Sequence, residues 1–69
     1  MFDTANALRT YLKEKGIRQS YLVRECGVTS DRISRMLNGR RRIRAEELID
    51  FCRALHLTVE ELSEFDRLK

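Results

Sequence analysis

Four arginines in five residues, Arg40-Arg41-Arg42-Ile43-Arg44, are the densest concentration of chemistry in this chain. Guanidiniums gathered this closely repel one another, and a small fold gains nothing evident from collecting them. Contact with phosphates compensates, because each neutralised phosphate releases condensed counterions. A charge run is commonly a solvated face; here its position after a short amphipathic segment favours a polyanion. That segment, Ser30–Leu37, sets Asp31, Ser34, Arg35 and Asn38 in one arc opposite Ile33 at about 100° per residue. Ser30 and Arg32 flank the arc in the first turn. These types suit base edges: Arg donates to guanine O6 and N7, Asp accepts from cytosine N4, and Ser serves several partners. Taken alone, the arc is what any surface helix carries, and Asp31 with Arg35 makes an ordinary i,i+4 ion pair.

Other reactive chemistry is sparse. The single histidine, His56, falls at a helix end, where it reads as a stop tolerant of left-handed backbone. Cys26 and Cys52 are widely separated and fit no zinc spacing, so both are expected as small buried hydrophobes. Neither cysteine has a base nearby in sequence, and no glycine-rich phosphate loop occurs. The expectation is a protein that is not an enzyme, with no metal and no cofactor. RNA is disfavoured, since the polar arc offers no aromatic stacking platform.

Charge is unevenly spread along the 69 residues. Residues 1–29 carry five basic and three acidic groups; residues 30–44 carry six Arg and one Asp; residues 45–69 carry three basic and seven acidic groups. Such asymmetry predicts a positive surface for a polyanion and a separate negative end. An anionic membrane would also attract the arginines, but no segment is basic on one face and strongly apolar on the other. The N-terminus has neither the basic start nor the apolar core of a signal peptide, and no apolar run approaches a membrane span. A cytoplasmic location follows as the expectation. Hydrophobic content of 42% suffices for one compact domain over 1–69, with its core at about 4–65. No stretch alternates with the period of a strand, so the fold class is all-α.

Five helices must position these groups. The first runs from Thr4 to Lys15, with Asp3 as N-cap, an apolar stripe of Ala5, Leu8, Tyr11 and Leu12, and Gly16 after its end. Its outer face of Arg9, Lys13 and Lys15 reads as solvated. The second, Gln19–Cys26, buries Leu22, Val23 and Cys26. Arg18 is a poor N-cap for it, which invites a phosphate at the helix N-terminus as the reason; an exposed Arg tolerated by drift is the alternative. Gly27-Val28-Thr29 then turns the chain into the third helix, which buries Ile33, Met36 and Leu37. A three-residue turn with Gly between two short helices is the helix-turn-helix pattern. The fourth helix spans Ala45–Leu55, with Leu48, Cys52 and Leu55 inward and Ile49 and Phe51 at the margins. Thr58-Val59-Glu60-Glu61 is a capping box opening the fifth, and Leu57 with Leu62 is its hydrophobic staple. Val59, Leu62, Phe65 and Leu68 give that helix a stripe that either closes the core or forms an isologous dimer patch, and we expect the dimer. Glu64, Asp66, Arg67 and Lys69 are expected to fray.

From Leu8 to Phe65 the chain resembles the five-helix DNA-binding domain of the lambda repressor and Cro family, the XRE type of helix-turn-helix. The likeness follows KGIRQSYLVRECGVTSDRISRMLNG and then EELIDFCRALHLTVEEL. Gln19, Gly27, Val28, Ile33, Gly39, Leu48, Ala54 and Leu55 sit where that pattern expects their types. The resemblance implies a homodimer on a pseudo-palindromic operator in double-stranded DNA, with the third helix in the major groove. It implies base contacts from Ser30, Asp31 and Arg35, and from Arg32 to base or backbone. It implies phosphate contacts from Gln19, Thr29, Asn38, Arg40, Arg42 and Arg44, with Arg41 in the same run. Departures are Val23 for a small Ala, Arg18 and Arg44 at N-caps, His56 for Gly, and Ser30-Asp31 for glutamines, so no operator sequence carries over.

A transcriptional regulator, in particular a repressor, is therefore the leading function. The competing one is an antitoxin-like interaction module whose acidic, apolar C-terminal surface holds a partner protein.

Overall fold

The computed structural model describes residues 2–66. Five helices follow in order: α1 (Thr4–Lys15), α2 (Gln19–Cys26), α3 (Ser30–Leu37), α4 (Ala45–Leu55) and α5 (Val59–Ser63). No strand occurs among the described residues. No helix among them is long and apolar enough to cross a membrane.

Local chemistry sets each helix boundary. Asp3 accepts from the Asn6 N–H at 3.2 Å to open α1. Gly16 closes it at φ 67°, with the Ile17 N–H reaching back to the Leu12 carbonyl at 2.9 Å. His56 takes φ 59° after α4, the only non-glycine with positive φ among the described residues. Thr58 and Glu61 exchange both bonds of a capping box, at 3.0 and 2.8 Å.

Packing joins α1 to α3 and α5, α2 to α3 and α4, and α4 to α5. The core comprises Ala7, Leu8, Leu12, Leu22, Ile33, Met36, Leu37, Phe51, Cys52, Leu55 and Leu62. On α2 only Leu22 is buried, with Val23 and Cys26 half-buried rather than buried as expected, and three further placements on α1, α4 and α5 correct the sequence-based assignment. Ala7, not Ala5, completes the inner face of α1, its small side chain allowing close approach. Phe51 is at the centre of the core while Leu48 is at its edge and Ile49 is exposed. The third concerns α5, which stops at Ser63 after five residues. Leu62 is there fully buried, so it closes the core and is not available to a dimer contact. Phe65 is half-buried, its ring edge-on to Tyr11 at 5.0 Å between centroids. Val59 is exposed, and Leu68 lies outside the described residues.

Polar ties supplement this core. The Tyr21 hydroxyl donates to the Ala54 carbonyl at 3.1 Å, joining α2 to α4. Asp66, expected to fray, accepts from the Asp3 N–H at 2.8 Å and from Asn6 Nδ2 at 2.7 Å. It thereby fastens the chain after α5 to the start of α1; Arg67 and Lys69 lie outside the described residues.

Leu62→Ala should lower unfolding free energy by ~2–5 kcal/mol, and Val59→Ala should change it by less than ~0.5 kcal/mol. Urea denaturation of the two variants beside the wild type checks this, and equal effects would contradict the burial described for α5.

Candidate nucleic-acid interface

An eight-residue helix is too short to be stable alone in water. Tertiary contacts and caps therefore hold α3. Its inner side, Ile33, Met36 and Leu37, is buried at 0, 0 and 4% exposure. The Thr29 hydroxyl accepts from the Arg32 N–H at 3.1 Å at the entry, following Gly27 at φ 69° in the turn. At the exit, Gly39 adopts φ 76°, and the Arg35 carbonyl accepts from the N–H groups of Arg40 at 2.8 Å and Arg41 at 3.2 Å. Arg9 of α1 donates to the Leu37 carbonyl. Arg9, expected to be solvated, thus ties α1 to the end of α3; its i,i+3 spacing from Asn6, whose Oδ1 it also meets at 3.2 Å, is the one signal of this in the sequence.

Opposite this anchored side, Ser30, Asp31, Arg32, Arg35 and Asn38 are all exposed, and Ser34 is half-buried. Asp31 and Arg35 form the i,i+4 ion pair at 3.2 Å, with side chains 76% and 61% exposed respectively. Pairs this open to water are worth only ~0.3–0.5 kcal/mol, so the guanidinium separates from its partner at little cost. Arg18, Gln19 and Thr29 are exposed around the N-termini of α2 and α3. Arg18 has a β-region backbone and makes no side-chain cap bond.

The arginine run divides. Arg40, Arg42 and Arg44 are exposed. Arg41, expected among the phosphate contacts, is half-buried and turned onto α4: its Nη1 donates to both Glu47 carboxylate oxygens at 3.2 Å. Glu47 also accepts from the Arg44 N–H at 2.9 Å. This is half of a capping box, because an arginine side chain has no acceptor to return the bond. Burial alone would raise the Glu47 carboxyl; the Arg44 N–H, the Arg41 guanidinium and the nearby charge of Arg32 outweigh it and hold the carboxyl below its ordinary range.

The cysteines take no part in this face. Cys52 is buried; Cys26 is half-buried with its Sγ 3.7 Å from the Asp50 carbonyl. Burial pushes both thiols up, with Asp50 and Glu25 adding to the effect on Cys26, so neither is a poised thiolate. Among the described residues no group of His, Cys, Asp or Glu is arranged to hold a metal ion.

Residues 7–67 match the family described as Cro/C1-type HTH DNA-binding domain. No curated protein and no solved structure matches significantly.

Because the folded carboxyl of Glu47 titrates lower than an unfolded one, its contribution to stability is complete above the ordinary carboxylate range. It is lost as pH falls through the lowered folded value. Urea denaturation from neutral pH downward should show a gap between wild type and Glu47→Gln that narrows in acid. A gap unchanged by acid would contradict the lowered carboxyl.

Proposed function

Since this chain belongs to the Cro/C1-type helix-turn-helix DNA-binding family, and is thus a DNA-binding regulator of transcription, we propose that it is a repressor acting as a homodimer. In this reading it occupies a pseudo-palindromic operator with α3 in the major groove of each half-site. The observation that carries the proposal is the two-sided state of α3. Ile33, Met36 and Leu37 are locked in the core, while Asp31, Arg35 and Asn38 stand in water beside the exposed Arg40, Arg42 and Arg44.

Roles divide by chemistry. Arg35 donates a bidentate pair to guanine, Asp31 accepts from a cytosine amino group, and Ser30 and Arg32 reach neighbouring edges. Arg18, Gln19, Thr29, Asn38, Arg40, Arg42 and Arg44 meet phosphates, which fixes register without reading sequence. The Thr29 hydroxyl accepts its cap bond with a lone pair and keeps its proton for a phosphate oxygen. Of the four residues expected at the dimer contact, Val59 is the one exposed among the described residues.

A second reading makes the chain an interaction module for a partner protein. Exposed Ile49 and Val59 in the acidic C-terminal half favour it. Co-purification of a stoichiometric partner would support that reading, and a homodimer that binds duplex alone would support the first.

Selection of bound duplexes from a random pool tests the proposal and supplies the operator. Arg35→Ala should lower affinity for the selected duplex by ~1–3 kcal/mol and relax discrimination at one base pair. Arg42→Ala should weaken all duplexes alike and reduce the magnitude of the salt slope by about one unit. Absence of any salt-sensitive complex with duplex DNA would overturn the proposal.

A further inference from the structure

The Glu47 carboxylate is at odds with its surroundings. It sits at the base of the most basic stretch of the chain, where a negative charge opposes the approach of a polyanion. Its side chain is only 16% exposed and that of Arg41 is 26% exposed. A pair sheltered to this degree recovers little net stability once desolvation is counted. Its bonds nevertheless converge on one segment. Nη1 of Arg41 meets both carboxylate oxygens, the Arg44 N–H meets Oε1, and Arg41 Nη1 reaches the Arg42 carbonyl at 3.4 Å. The other end of the segment is tied by the Arg40 and Arg41 N–H groups on the Arg35 carbonyl. Residues 40–44 are thus held to α3 at one end and to α4 at the other, with the Arg40 and Arg42 side chains exposed between.

We infer that Glu47 and Arg41 are positioning residues for DNA binding: the carboxylate uses one arginine of the run as a strut so that Arg40, Arg42 and Arg44 are presented to phosphates in fixed register. The inference rests on the reading of this face as a DNA surface and adds that one of its four arginines touches no phosphate. Without the strut, mutual repulsion spreads the guanidiniums, and ordering them again on DNA reduces affinity.

The strut and simple electrostatics predict opposite signs. Removing a carboxylate beside a polyanion should tighten binding if charge alone matters; removing the strut should weaken it. Glu47→Gln keeps an acceptor for the Arg44 N–H and deletes the charge. With the tightest duplex recovered by selection, Glu47→Gln should bind roughly tenfold more weakly, the scale of ordering one or two freed side chains again on DNA. Arg41→Gln should weaken binding similarly and leave the salt slope unchanged. The double variant should lose no more than either alone, because the two residues act as one unit. All variants are compared at a temperature where circular dichroism shows them folded, so lost helix is not read as lost positioning.

Tighter or unchanged binding by Glu47→Gln would overturn the inference. A salt slope reduced by about one unit in Arg41→Gln would do so too, since it would put that guanidinium on a phosphate. Additive losses in the double variant would count against the strut as well. Failure of the wild type to bind any duplex would instead overturn the underlying reading of the face.

Discussion

Burial of one side of α3 is the constraint on which the molecule depends. A helix of two turns has no stability of its own, and the polar types on its outer side do not help. Ile33, Met36 and Leu37 supply the missing free energy by entering a core built from α1, α2, α4 and α5. Three fully or nearly buried side chains of this size correspond to several kcal/mol of apolar transfer, at ~1.5–3 kcal/mol each. Rotating α3 by even one residue's worth of angle would bring Ser34 inward and take an apolar side chain out. The orientation of Asp31 and Arg35 is therefore set by residues buried on the opposite side of the helix.

Polar bonds refine what burial fixes. The Leu37 carbonyl at the end of α3 is taken by Arg9, which also holds Asn6, which holds Asp66, which in turn accepts from the Asp3 N–H. This line passes from the exit of α3 through α1 to the chain beyond α5. It satisfies helix-end groups that would otherwise look to water, and it couples the third helix to the far end of the chain. At the entry of α3, Thr29 performs the same service within one turn of backbone. The helix thus enters and leaves the core at defined points.

Boundaries and turns were legible because they are written locally. Asp3, Gly16, Gly27, Thr29, Gly39, His56 and Thr58 each act within four residues of their own position, and α1, α3 and α5 start where the caps Asp3, Thr29 and Thr58 put them. Facing was less legible. Period alone made Phe51 marginal and Leu48 central, but the direction from which α2 and α5 approach α4 decides, and that is a tertiary fact. The stripe on α5 is the same case: whether Leu62 faces a neighbour or its own core depends on how closely α1 and α4 lie beside it. Arg9, Tyr21, Asp66 and the Arg41–Glu47 pair were missed for a related reason. Long polar side chains reach 28 to 63 residues along the sequence in three of those cases, and no pattern within a window carries such a partnership.

Magnitudes explain how two ion pairs of similar length come to differ in kind. Asp31–Arg35 and Arg41–Glu47 both measure 3.2 Å. The first lies in water, so its few tenths of a kcal/mol are small against the ~1–3 kcal/mol of a bidentate contact to a base. It can open whenever a better acceptor arrives, and until then it keeps a long side chain from wandering. The second is sheltered and shared with a backbone N–H, and breaking it strands a carboxylate with reduced access to water. An arginine so engaged is committed to the protein, whereas Arg35 remains available to a ligand. Distance does not separate the two pairs; exposure does, and exposure follows from where α3 and α4 lie relative to the core.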